Sequence, residues 1–102
     1  MSLFRKSKDI NLGLEKAGKT PGSMVIDVRT YDEYRQGHVP GSINIPMSQI
    51  SDPDLDEGTP LFVYCLSGAR AGRACDILNA MGFNAENIGG INRYKGELST
   101  DR

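Results

Sequence analysis

Two cysteines and one histidine are all the thiols and imidazoles this chain of 102 residues contains. They are too few and too scattered for a disulfide framework or a structural zinc site. Free thiols in that number fit a reducing compartment. An excess of one charge is also missing: twelve basic residues nearly cancel thirteen acidic ones, leaving a net charge of -1. Such a balance gives no electrostatic footprint for nucleic acid or for a membrane surface. No apolar run approaches the roughly 18 residues needed to span a bilayer, and Leu3-Phe4 among Arg5, Lys6 and Lys8 does not form the apolar region of a secretory signal. Internal repeats and low-complexity tracts are absent as well. The expectation is a cytoplasmic, single-domain protein over residues 1–102, flexible at 1–8 and 97–102, with no metal, no cofactor, and small molecules or proteins as partners.

What the chain does contain is an alternation of strand-like and helix-like segments. Asp9 can cap a helix carrying Ile10, Leu14 and Ala17 on one side and ending at Gly18, although Gly13 in its middle is a poor helix former. Met24 to Arg29 reads as a buried strand with charge at its C-terminal end. Thr30 and Glu33 are spaced as a capping box for a short helix that runs to about Gln36 and stops at Gly37. After the turn at His38-Val39-Pro40-Gly41-Ser42, Ile43-Asn44-Ile45 is a very short strand closed by Pro46, and Met47 to Ile50 suit one helical turn. The acidic stretch from Ser51 to Pro60 is a surface loop.

Leu61 to Tyr64 is the most continuous apolar run, as expected of a central strand covered on both faces. Ala71, Ala74, Cys75, Leu78 and Met81 then recur at helical spacing up to Gly82. Phe83 to Ile88 is a weaker last strand, followed by Gly89-Gly90 and a short helix over 91–95. This order predicts an α/β sandwich with a mainly parallel sheet, whose ligand sites lie at the carboxyl ends of the strands. Both Arg29 and Cys65 fall at such ends, so they are expected on one rim.

Cys65 sits between the central strand and a turn of small residues that opens a helix. A free thiol is only about 3% ionised at pH 7, so a nucleophilic cysteine needs its anion stabilised. The N–H groups from Leu66 to Arg70, the helix N-terminus and the Arg70 guanidinium are all placed to do so. Gly68 permits a positive φ, and Ser67 and Ala69 keep the turn narrow. A cation in the first turn of a helix is disfavoured by the helix dipole, which suggests an anion or a carboxylate close to Arg70. Cys75, on the apolar helix face and ~9 Å further along the axis, reads as core. Asp27 reads as a structural partner of backbone or arginine, His38 as a hydrogen-bonded turn residue, and Tyr64 and Tyr94 as packing residues with a polar tip. Arg29 has two even readings, lining the pocket mouth or pairing with an acid.

With Ile26-Asp27-Val28-Arg29, Glu33-Tyr34, Gly37-His38-Val39-Pro40-Gly41-Ser42-Ile43-Asn44-Ile45-Pro46, Val63-Tyr64-Cys65-Leu66-Ser67-Gly68-Ala69-Arg70 and Gly89-Gly90 in that order, the chain resembles a single-domain rhodanese. The resemblance implies a three-layer sandwich, a parallel five-stranded sheet with helices on both faces, and a six-residue active loop from Cys65 to Arg70. It also implies a sulfurtransferase in which Cys65 takes a sulfane sulfur from thiosulfate, a polysulfide or a persulfide. A thiol, including one on a protein, or cyanide would then accept it. Cys65 would be catalytic, and Leu66, Ser67, Gly68, Ala69, Arg70 and Arg29 would bind substrate. Tryptophans common after the Gly-Gly of the family are replaced here by Ile91 and Tyr94, which alters the pocket wall. With Arg70 the loop's only charge, modest affinity for the thiosulfate dianion is expected.

Two rivals stand beside this reading. Phosphatases and arsenate reductases of related fold also use a loop from Cys to Arg, but with five intervening residues against four here, and the shorter cradle fits sulfur better than a phosphoryl group. A non-catalytic sulfur carrier or binding module is the other. Turnover with small donors and acceptors separates it from an enzyme.

Overall fold

Side chains of the central strand β3 (Pro60–Cys65) alternate between two apolar layers. Leu61, Val63 and Cys65 enter one layer, while Phe62 and Tyr64 enter the other. A strand with both faces covered in this way is the signature of a parallel α/β sheet. The computed structural model describes residues 8–101, so the expectation for residues 1–7 lies outside the described part.

The sheet has the order β2-β1-β3-β4, with β1 at Met24–Asp27, β2 at Ile43–Asn44 and β4 at Asn84–Gly90. All three pairings are parallel. Four strands form it among the described residues, one fewer than the resemblance implies. Outside the sheet, the C-terminal segment makes a single antiparallel bridge, His38 with Ser99. The hydrogen bonds of that bridge are 2.9 and 2.8 Å, so the segment read from sequence as a loose tail is tied to the turn at His38.

Helix α1 (Ile10–Gly18) carries the expected cap, its Asp9 side chain accepting from the Asn11 N–H. Gly13, the weak point in its sequence, faces β4, where a Cβ would overlap the Cβ of Ile88. Close helix-to-sheet contact thus explains the glycine. Ile10 and Ala17 of this helix pack with Phe62, Tyr64, Ile88 and Val39. Helix α2 (Tyr31–Gln36) shows both halves of the Thr30–Glu33 capping box. Helix α3 (Ala69–Ala80) covers the opposite face through Ala71, Ala74, Cys75 and Leu78, packed with Ile26, Val28, Leu61 and Val63.

Register fixes the rim. Asp27 lies beside Tyr64, and the Val28 N–H bonds the Tyr64 carbonyl at 3.0 Å. The carboxyl ends of β1 and β3 therefore finish side by side, as the parallel arrangement requires, and the chain leaves β3 directly into the turn before α3.

Candidate functional site

Cys65 is the last residue of β3 and is buried. Its Sγ accepts the N–H of Gly68 at 3.0 Å and that of Ala71 at 3.3 Å. Both donors belong to the first turn of α3, where four N–H groups lack a partner within the helix. The sulfur is thus bound where partial positive charge from the helix is greatest, an arrangement that favours an anion. Gly68 lies within the expected range of donors and Ala71 one residue beyond it.

The loop takes its shape from a left-handed residue and two tethers. Gly68 has φ 104° and ψ −15°, a conformation that a side chain resists. The Leu66 carbonyl accepts the Asn92 N–H at 3.1 Å, and the Gly68 carbonyl accepts Asn87 Nδ2 at 3.1 Å. With its carbonyls held from the β4 side, the loop turns its N–H groups toward the sulfur. Gly90 closes this contact, since a Cβ there would overlap the Leu66 carbonyl oxygen. Leu66, Ser67 and Ala69 are exposed, and Leu66 keeps 47% of its surface open beside the cysteine.

Arg70 extends to α2. Its guanidinium donates to both oxygens of Glu33, at 2.8 and 3.0 Å, in the forked geometry that strengthens such pairs. Glu33 Oε1 also accepts the Thr30 N–H at 3.1 Å. Hydrogen bonding from Arg70, helped by Thr30 and opposed by partial burial, holds the Glu33 pKa down to about 2. The carboxylate that the position of Arg70 suggests is therefore Glu33. Its sequence signal was read only as a capping box, because nothing in the linear chain joins residues 33 and 70.

Arg29 is 5% exposed and Asp27 is fully buried. Arg29 Nε and Nη2 reach the Asp27 carboxylate at 2.7 to 3.1 Å. Nη2 also donates to the Gly37 carbonyl at 2.8 Å. Burial alone would lower the guanidinium pKa, yet the hydrogen bonds and charge of Asp27 outweigh it and the net shift is upward. Of its two readings, the structure places Arg29 in the acid pair. Its guanidinium stands over the Tyr64 ring, 5.9 Å from the centroid.

His38 stacks on Tyr34, with ring centroids 3.7 Å apart, and its Nδ1 is 2.8 Å from the Tyr34 carbonyl. The Tyr64 hydroxyl accepts the Val39 N–H at 3.1 Å and meets Ser42 Oγ at 2.9 Å. Burial, and then the charge of Asp27, raise its pKa. Cys75 is buried in the α3 core, where desolvation first, and then Asp76 and Glu86, push its thiol up to about 12. Asn87 and Asn92, which tether the loop, had no signal in the sequence, because their partners are backbone atoms of a distant segment. Among the described residues no group of three or more His, Cys, Asp or Glu could hold a metal ion, and no helix is long and apolar enough to cross a membrane.

A family model described as rhodanese-like domain matches residues 12–97. The thiosulfate sulfurtransferase PspE of Escherichia coli K12 is 39% identical over 71 residues, covering 65% of this chain and 68% of that protein. A crystal structure of a rhodanese-like domain protein from Staphylococcus aureus superposes with a TM-score of 0.81 at 26% identity, covering 96% of this chain and 100% of the other. A structure described as rhodanese with anions from E. coli has a TM-score of 0.69 at 33% identity, covering 78% and 99% respectively.

Proposed function

Since the chain belongs to the rhodanese-like family, we propose that it is a sulfurtransferase in which Cys65 carries the sulfur. The observation that carries this reading is the Cys65 Sγ at the end of β3, accepting two first-turn N–H groups of α3. In the first half-reaction the Cys65 thiolate attacks the sulfane sulfur of the donor. The new S–S bond forms as the donor's own bond breaks, and the leaving group takes the electron pair: sulfite departs from thiosulfate, or a thiolate from a persulfide. Cys65 is left as the persulfide. In the second half-reaction a thiolate or cyanide attacks the terminal sulfur and the Cys65 thiolate leaves with its pair.

The loop suits both steps. Gly68 and Ala71 stabilise the inner sulfur, which is the leaving group of the second step. The two remaining first-turn N–H groups, those of Ala69 and Arg70, have no carbonyl within their own helix to bond and can hold the charge on the terminal sulfur, as donors of an oxyanion hole do for oxygen. Leu66 and Ser67, the exposed residues that follow Cys65, are placed to meet an incoming donor or acceptor. A thiol is the favoured acceptor, because the exposed Leu66 offers an apolar contact to an organic or protein thiol and cyanide would not use it.

The test is intact-protein mass spectrometry after exposure to thiosulfate or to a low-molecular-weight persulfide. Wild type is expected to gain one sulfur and to release it to a thiol, and Cys65→Ala to gain none. An equal gain in Cys65→Ala, or no gain in wild type with any donor, would sink the reading.

A further inference from the structure

Both arginines that the sequence places on the Cys65 rim are neutralised in the fold: Arg29 by Asp27 and Arg70 by Glu33. The second pair is the one that matters at the opening, because its side chains remain 37% and 32% exposed and Arg70 is the last residue of the loop. Glu33 is itself fixed at the N-terminus of α2 through Thr30. Arg70 is thereby held between two elements and contributes no net charge to the mouth of the cradle. Asp32 and Arg35, also on α2, neutralise one another at 3.4 Å. The exposed Arg73 lies one turn further along α3. A donor approaching Cys65 therefore meets N–H groups and a paired guanidinium.

We infer that Glu33 is a positioning residue that sets the charge class of the sulfur donor, favouring a persulfide of low charge over the dianion thiosulfate. This rests on the reading of Cys65 as the sulfur carrier. The thiolate and the thiosulfate dianion repel one another, and a free Arg70 cation would offset that repulsion. Engaged by Glu33, it cannot do so fully. A neutral or singly charged persulfide faces less repulsion and depends less on the cation. The chemistry is the same for both donors, with thiolate attack on the outer sulfur and departure of sulfite or of an alkyl thiolate.

The experiment measures the second-order rate constant for Cys65 persulfide formation with thiosulfate and with 2-hydroxyethyl persulfide. It uses wild type, Glu33→Gln, Arg70→Gln and the double variant, each at low and at raised ionic strength. Glutamine also serves at the third position of a capping box, so Glu33→Gln keeps the α2 cap. The thiosulfate-to-persulfide ratio is expected to rise about tenfold in Glu33→Gln, to shrink with added salt, and to return to the wild-type value in the double variant. An equal change for both donors in Glu33→Gln, or the same shift in the control Asp32→Asn, overturns the inference. Wild type supplies a test that needs no variant: its thiosulfate rate constant is expected not to fall as salt is added, and a steep fall refutes a neutralised Arg70. Failure of wild type to take sulfur from any donor defeats the sulfur-transfer reading itself, whereas sulfur uptake with an unmoved ratio defeats only the role of Glu33.

Discussion

Replacing Asp27 with asparagine removes the carboxylate paired with a guanidinium that is buried to 5% exposure. The carboxylate accepts from the Arg29 backbone N–H at 2.9 Å, and from Nε and Nη2 at 2.7 to 3.1 Å. Asparagine keeps one acceptor oxygen, but its amide N–H groups oppose those of the guanidinium. Leaving one member of a buried pair alone costs about 3–5 kcal/mol, a large part of the roughly 5–15 kcal/mol that holds a domain folded. With a urea m-value of about 1–1.5 kcal/mol/M for a chain this small, the unfolding midpoint should fall on the order of 3 M. Adding Arg29→Met to Asp27→Asn removes the stranded charge, keeps an amide oxygen to accept the backbone N–H of residue 29, and leaves the Gly37 carbonyl without its guanidinium donor, at about 1–3 kcal/mol. The double variant should therefore be more stable than Asp27→Asn. Urea unfolding followed by circular dichroism gives both numbers. A midpoint shift below about 1 M for Asp27→Asn, or a double variant less stable than it, would refute the assignment of Arg29 to a buried structural pair.

The remaining predictions concern three other positions. At pH 8 a thiol with a pKa of about 12 is ionised to about one part in ten thousand, so Cys75 should resist iodoacetamide in the native protein and react only in urea, as read by peptide mass spectrometry. The folded-state pKa of Glu33 is lowered from the ordinary 4.5 to about 2. Its stabilisation is therefore complete above about pH 4.5 and lost as pH falls from there toward 2. Acid unfolding of Glu33→Gln should show a smaller loss of stability across that window than wild type, and identical profiles would contradict the Glu33–Arg70 pair. Gly13→Ala should destabilise the protein by roughly 1–3 kcal/mol, because overlap with Ile88 outweighs the gain in helix propensity, and thermal denaturation measures it. A raised melting temperature would show that α1 does not lie so close to β4.

Local chemistry made much of this protein legible before its fold was known. The alternation of strand and helix, the caps at Asp9 and Thr30, the positive φ of Gly68 and the placement of Cys65 at a strand end all follow from residues near one another in the chain. Each depends on hydrogen bonds or steric limits within a few positions. The core position of Cys75 and the structural place of His38 were readable for the same reason. The four strands read from residues 24–29, 43–45, 61–64 and 83–88 all enter the sheet, and the fifth was implied only by the resemblance. The bridge of Ser99 to His38 was not readable, because it joins distant segments.

What only the tertiary structure decided is who pairs with whom across the rim. Arg29 had two even readings until β1 and β3 were set side by side and the burial of Asp27 settled its partner. Glu33 was a helix cap until α2 came to lie against the loop after Cys65 and its carboxylate met Arg70. Asn87 and Asn92 became loop tethers only once β4 was laid beside β3. The sequence by itself determined the position of Cys65 and its cradle of N–H groups, since both are built from the six consecutive residues Cys65 to Arg70 and the helix they open. The charge around that cradle depends on residues up to 37 positions away, and their distance in space is set by packing that no local pattern encodes.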